Sequence, residues 1–342
     1  YTTHKKGVDE GMDDMCRFAE DMGFTPEVIK GRHRLIKGGK GERKPRILLI
    51  SHMDTVFPPD GNFLKYTPLD DEFVQGPGTG DIKGGLIIGL WAMRALRELR
   101  GRDFDVQMVV SADEEIGSPT IRDWYMGGNI DADFAIGLEP GFPQGPLSAD
   151  VPLGVVYQRR GYCAISFEVH GRQSHSGAPE NGLSAVEAMA HRVLKIHALS
   201  DPERGITTNV GTINGGISAN TIPEGAKGLL SFRYWKLEDG EETLEKVKAI
   251  LEDRYIYNEQ HDQWDRAEYT VDSFLPPMEP SDRNQILVDT VLEQAERLGH
   301  NVVPIARGGG SDANFISGSG VPTICGMGAP AHGIHTEEER IH

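Results

Sequence analysis

Five short segments each carry a metal-binding or proton-handling side chain. They are Ser51-His52-Met53-Asp54-Thr55, Gly80-Asp81-Ile82-Lys83-Gly84, Asp113-Glu114-Glu115, Leu138-Glu139-Pro140 and Gly333-Ile334-His335. Their donors are imidazole nitrogens and carboxylate oxygens, a set that suits Zn2+, with Co2+ or Mn2+ as alternatives, and disfavours a thiolate site. A carboxylate such as Asp81 can bridge two cations about 3.5–4 Å apart, and flanking glycines let the backbone crowd that position. In Asp113-Glu114-Glu115, adjacent side chains of a turn point in different directions, so one glutamate can bind metal while its neighbour holds the attacking water as general base. Asp54 follows His52 by two residues, on the same side of an extended segment, where it can orient that imidazole. His332 competes with His335 for the last ligand position.

Singly these motifs are weak. His-x-Asp is frequent by chance, acidic runs are mostly solvated turns, and the glycine-rich residues 76–85 invite a phosphate-loop reading. No Gly-Lys-Ser/Thr follows that stretch, and the anionic Asp81 stands in it, which argues against phosphate.

The elements that position the motifs supply the missing argument. Ile47-Leu48-Leu49-Ile50, Val106-Gln107-Met108-Val109-Val110 and Phe134-Ala135-Ile136-Gly137-Leu138 are nearly continuous apolar runs, the pattern of strands buried on both faces. Residues 8–22 fit an opening helix, short strands fit near residues 28–29 and 34–37, and Gly38-Gly39-Lys40-Gly41 reads as a turn. Leu86, Leu90, Met93 and Leu96 keep helical spacing over residues 86–99. Alternating strands and helices imply an α/β fold, a mostly parallel sheet with helices on both faces. The carboxyl ends of parallel strands open on one crevice, so residues stationed there meet in space.

From about residue 161 the texture changes. Cys163, Ile165, Phe167 and Val169 alternate with polar neighbours, as in a strand with one covered face. A helix over residues 183–199, strands over 207–213 and 227–234, a helix over 244–251 and a strand over 267–271 complete a βαββαβ order, the ferredoxin-like arrangement. The first texture returns with a helix over residues 284–298 and a strand at Pro322-Thr323-Ile324-Cys325, and Phe274-Leu275-Pro276-Pro277 reads as the hinge. The expected organisation is a domain of residues 1–158 and 273–342 interrupted by an inserted domain of residues 159–272.

The 342 residues carry 35 Lys plus Arg against 52 Asp plus Glu, a net charge of −17. That balance repels phosphate backbones and argues against nucleic-acid binding. Cys16, Cys163 and Cys325 are too scattered for a disulfide framework. No apolar run approaches the ~18 residues of a membrane helix, so no membrane partner is expected. The chain opens on Tyr1 without an initiator Met. A cytoplasmic protein is the default expectation, with a removed leader and a periplasmic or secreted location as the alternative.

The motifs in this order resemble the M20 family of metallopeptidases, in its glutamate carboxypeptidase (carboxypeptidase G2-like) branch. The matching stretches also include Gly76-Pro77-Gly78, Lys83-Gly84-Gly85, Gly117-Ser118, His175 in Ser174-His175-Ser176-Gly177-Ala178, and Gly308-Gly309-Gly310-Ser311-Asp312-Ala313. The resemblance implies a zinc exopeptidase-like fold in which His52, Asp81 and Glu139 bind one zinc and Asp81, Glu115 and His335 the other. It makes Glu114 the general base, gives Asp54 the task of orienting His52, and implies a cis peptide after Asp81. The inserted domain is then a dimerisation or lid domain of a homodimer, with His175 reaching the partner's site to polarise the scissile carbonyl. Asn220 and Arg233 resemble lid residues that hold the substrate's free carboxylate, and Gly309 and Gly310 would offer it backbone N–H groups.

The implied activity is hydrolysis, by metal-activated water, of an amide bond next to a free carboxylate, on a small peptide or N-acyl amino acid. Glutamate is one candidate for the released residue, and aminoacylase or dipeptidase chemistry is the alternative. A catalytically silent binder is disfavoured by Glu114, since binding needs no base. The segment Ser273-Phe274-Leu275-Pro276-Pro277-Met278 lacks the basic residue that glutamate-releasing members carry near there. The chain also ends soon after His335, where family members continue, so further residues are expected beyond it.

Overall fold

The computed structural model describes residues 1–39, 44–145 and 151–342, so the turn expected at residues 38–41 lies partly outside the described residues. Two compact units form, one of Tyr1–Arg159 with Met278–His342 and one of Arg160–Pro277.

In the first unit the run that starts at Ile47 becomes the strand Ile47–His52, buried from Leu48 onward. Asp105–Ser111 and Phe134–Gly137 flank it in parallel, and Thr323–Ile324 is parallel to Phe134–Gly137. The register sets His52 opposite Ser111 and Ile50 opposite Gly137, so the residues that follow these strands emerge at one sheet edge. On the far side His33–Gly39 joins Asp105–Ser111 antiparallel and pairs with Thr25–Ile29. The six-stranded sheet is therefore mixed, and its chemistry-bearing half is parallel.

The helix Gly84–Arg100 turns Gly85, Leu86, Gly89, Leu90 and Met93 inward at helical spacing. Leu86, Leu90 and Met93 share a core with Leu49, Met108 and Leu138 from the sheet and with Val8, Met12, Met15 and Ala19 from the helix Lys5–Asp21. Each such buried side chain contributes about 1.5–3 kcal/mol. A Cβ at Gly85 would overlap the Leu138 carbonyl oxygen, so only glycine allows the helix this close to the sheet. The helix Asp282–Leu298 adds Val288 to a second cluster with Val155 and Ile324.

A small antiparallel sheet joins Ala331–His332, Arg340–Ile341, Val74–Gln75 and Thr67–Pro68. It ties the segment around His335 to the glycine-rich stretch before Asp81.

In the second unit Gly161–His170 alternates buried and half-buried positions through its whole length, as the period-two pattern requires. The sheet order is Thr207–Gly215, Gly225–Tyr234, Gly161–His170, Arg266–Leu275, antiparallel throughout. With the helices Ala185–His197 and Leu237–Glu252 between strands, this is the ferredoxin-like βαββαβ topology. The last strand continues to Leu275, beyond the residues 267–271 read from the sequence.

Candidate metal centre

His52 is the last residue of its strand, and the Met53 N–H still bonds the Ser111 carbonyl at 2.9 Å, which holds the strand's exit in the parallel ladder. The imidazole is 1% exposed. Its Nδ1 lies 3.0 Å from the Asp54 carbonyl oxygen and 3.4 Å from Asp54 Oδ1, and Nε2 faces Asp81 Oδ1 at 3.1 Å. Burial opposes charge on this ring, yet its bonds to Asp54 and Asp81 and the nearby Glu114 raise its pKa well above the ordinary imidazole value.

Asp54 does more than orient His52. Its Oδ1 accepts the N–H of Glu114 and its Oδ2 that of Glu115, each at 3.1 Å, and Oδ2 also takes the Thr2 hydroxyl at 2.6 Å. One buried carboxylate thus fixes the turn that carries both glutamates. Asp113 secures the other side of that turn by accepting the Thr120 N–H at 3.0 Å and hydroxyl at 2.6 Å.

Asp81 is buried at the head of the helix Gly84–Arg100, and the peptide that follows it is cis. Its Oδ2 meets His335 Nε2 at 2.9 Å, so the two carboxylate oxygens face two different imidazoles. His335 Nε2 is also 3.4 Å from Glu115 Oε2, and these two carboxylates lift its pKa to about 10. His332, the competing candidate, sits in the strand Ala331–His332; the imidazole at Asp81 is that of His335. Glu114 Oε2 lies 3.8 Å from His52 Nε2. Burial, and then the charges of Glu139, Asp312 and Glu115, raise its pKa well above the carboxylate range against the pull of His52. Glu139, next to the strand Phe134–Gly137, is pushed up to about 8 by burial and by Asp81.

The donor set suits divalent cations on its own electrostatics. Ligand atoms of His52, Asp81 and Glu115 lie within 4.8 Å of one another, and Glu115 Oε1 is buried without a hydrogen-bond partner among the described residues. Burial, with crowded negative charge behind it, raises the pKa of Glu114 and Glu139 against the pull of His52 and Arg159; a bound cation would oppose that rise.

The model of peptidase family M20/M25/M40 matches residues 48–342. This chain belongs to that family. Carboxypeptidase G2 of Pseudomonas sp. (strain RS-16) is 26% identical over 329 residues, covering 93% of this chain and 76% of the relative. An M20 family metallo-carboxypeptidase from Sulfolobus solfataricus shares the fold with a TM-score of 0.76 and 18% identity, covering 98% of this chain and 90% of that one. The YXEP protein of Bacillus subtilis, described as a dinuclear metal binding peptidase from the M20 family, does so with a TM-score of 0.67 and 15% identity, covering 97% and 86%. M20 proteins are metal-dependent metallopeptidases and amidohydrolases, and this chain is a hydrolase of that class.

The remaining expected residues of this M20 chain fall into separate groups. In the second unit His175 pairs with Thr221 in the ribbon of Ser174–His175 and Thr221–Ile222, and Ser176 N–H bonds the Asn220 carbonyl at 2.9 Å. His175 and Asn220 are therefore neighbours. Arg233 stands over the Tyr162 ring at 4.8 Å near the far end of the strand Gly225–Tyr234, about 26 Å along that strand from Gly225. Within one subunit it stands apart from Asn220. Gly309 and Gly310 lie between the strand Val302–Arg307 and the helix Asp312–Gly318. The Gly309 carbonyl accepts from Arg159 Nη1 at 2.9 Å.

Three residues beside the site carry roles that the sequence reading did not assign. Arg159, 4% exposed, bonds Gly309 and also Cys325 Sγ at 3.2 Å, and its charge bears on Glu139. Asp312 accepts the hydroxyls of Ser111 at 2.6 Å and Tyr125 at 2.9 Å and that of Ser118. Its place after the triple glycine was the available signal. Glu339, fully buried, accepts the N–H groups of Gly80 and Asp81.

Proposed function

We propose that this chain is a two-cation hydrolase that cleaves the amide bond next to a free carboxylate, releasing a carboxyl-terminal amino acid from a small peptide or N-acyl amino acid. Asp81 carries the reading: its Oδ1 is 3.1 Å from His52 Nε2 and its Oδ2 2.9 Å from His335 Nε2, the disposition of a carboxylate that serves two cations. His52, Asp81 and Glu139 would hold one, and Asp81, Glu115 and His335 the other, with Zn2+ preferred and Co2+ or Mn2+ able to substitute. Bound there, the cations supply Lewis acidity that polarises the scissile carbonyl and makes water easier to deprotonate.

The protein's own groups do the rest. Glu114 accepts the proton of the attacking water and passes it to the leaving nitrogen; burial raises its pKa above the carboxylate range, which strengthens the carboxylate as a base. Asp54 holds Glu114 and Glu115 in register through their N–H groups. His175 Nδ1 accepts the Gly177 N–H at 2.9 Å, so the neutral ring carries its proton on Nε2, the tautomer that can polarise a carbonyl. We assign that action to the site of a second copy, in a homodimer built through the unit Arg160–Pro277, with Asn220 and the Gly309-Gly310 loop receiving the substrate's carboxylate.

The test is Glu114→Gln, assayed beside wild type on N-acyl glutamate, N-acyl aspartate, N-acyl neutral amino acids and dipeptides with Zn2+, Co2+ or Mn2+. The variant should keep its metal content and lose about 10²–10⁴-fold in turnover. Substantial residual turnover rejects Glu114 as the base, and a wild-type chain that binds metal yet hydrolyses no member of the panel rejects the enzymatic reading in favour of a binder.

A further inference from the structure

Four residues beyond His335 the chain buries Glu339 with no exposed surface. A carboxylate so placed needs strong partners to offset lost hydration. Its Oε1 accepts the N–H of Gly80 at 2.8 Å and of Asp81 at 3.1 Å, and its main-chain carbonyl accepts the N–H of Gly76 at 3.1 Å. One residue therefore holds both ends of the segment 76–81. Oε2 is buried without a hydrogen-bond partner among the described residues, and the charge of Lys83 bears on the carboxyl.

The surroundings leave Glu339 little freedom. Arg340–Ile341 pairs with Val74–Gln75 on one side and with Ala331–His332 on the other, so Glu339 starts from a paired strand. A Cβ at Gly80 would come within 2.6 Å of Ala331 Cβ, which keeps the Gly80 backbone against the same small sheet. Residues 335–339 thus meet Asp81 from two directions: His335 Nε2 reaches its carboxylate at 2.9 Å, and Glu339 reaches its amide at 3.1 Å.

We propose that Glu339 is a positioning residue for the bridging carboxylate, fixing through the Gly80 and Asp81 N–H groups the main chain from which Asp81 projects toward both cations. This rests on the two-cation reading of Asp81. It assigns to Glu339 an effect on cation affinity that a residue serving only to fold the loop would not have.

The experiment titrates Mn2+ into chelated wild type, Glu339→Asp and Glu339→Gln by calorimetry, with metal content and thermal unfolding measured alongside. Asp keeps the charge and loses a methylene of reach; Gln keeps the reach and an acceptor oxygen and loses the charge. Glu339→Asp should bind Mn2+ about 10- to 100-fold more weakly, the usual range for a residue that orients a ligand, and Glu339→Gln should recover most of that loss. Wild-type affinity in Glu339→Asp overturns the proposal. So does an equal loss in Glu339→Gln, which would make charge rather than reach the operative property, and so does an Asp variant that stays unfolded with and without Mn2+. Wild type that binds no Mn2+ sinks the two-cation reading itself, whereas wild type and Glu339→Asp binding alike sinks only this inference.

Discussion

His52 and His335 present the same ring nitrogen to the same carboxylate, but from opposite kinds of structure. His52 closes a strand buried in the middle of the parallel half of the sheet, its other nitrogen on Asp54. His335 sits outside the regular strands at φ 64°, with a side chain 52% exposed. A left-handed backbone costs a non-glycine residue about 1–2 kcal/mol, so contacts of the ring must outweigh it. The strand half of the site is held by the core, whereas the loop half depends on what its side chains bind.

Substituting each histidine puts that contrast at risk. The largest effect is expected from His52→Ala, which strands Asp54 and Asp81 in the interior without their partner; loss of one member of a buried pair costs about 3–5 kcal/mol. Thermal unfolding of the chelated protein measures it, and a drop no greater than that of His335→Ala would erase the distinction between the two halves. For His335→Ala, a half-exposed group whose ion pairs are screened by solvent, the chelated protein should lose less stability than His52→Ala does. The same variant should hold one cation per chain where wild type holds two, as read by metal analysis.

A smaller effect concerns protons. The pKa of His335 is raised to about 10 by Asp81 and Glu115, that of Glu139 to about 8 by burial and Asp81, and that of His52 is raised by Asp54 and Asp81 against burial. Raised in this way, all three favour their protonated forms in the chelated protein, and cations would compete with protons for them. Metal uptake at pH 7 should therefore release protons, seen as a titration heat that varies with the buffer's ionisation enthalpy, and affinity should fall as pH falls. The His335 pairing has the opposite sign for the chelated fold: its stabilisation is complete below the unfolded value of 6.5 and fades as pH rises through about 10. Uptake with no buffer dependence would mean that the imidazoles are neutral beforehand.

The strand half was legible in the sequence because apolar runs announce buried strands and the residue after each run must emerge at the sheet edge. The Glu114-Glu115 turn was legible for the same reason, whereas Asp81 stands in a glycine-rich stretch at the head of a helix and was legible through the family resemblance. The inserted topology followed from a change of periodicity at about residue 161. Other features leave no local signal. Glu339 meets amides 258 and 259 positions away, and no periodicity encodes such a pairing. Arg159 bonds a main-chain oxygen 150 positions on. The parallel pair Leu153–Arg159 and Val302–Arg307 escaped notice because Pro304 breaks the run of the second strand.

The contact of Gly85 with Leu138 links two ligands mechanically. Gly85 lies four positions after Asp81, and Leu138 is the residue before Glu139. With the helix and the strand's exit pressed together where no side chain fits, the backbones from which these two carboxylates project are held close. A single methyl group at Gly85 would act as a wedge, prising apart two cation ligands while touching neither.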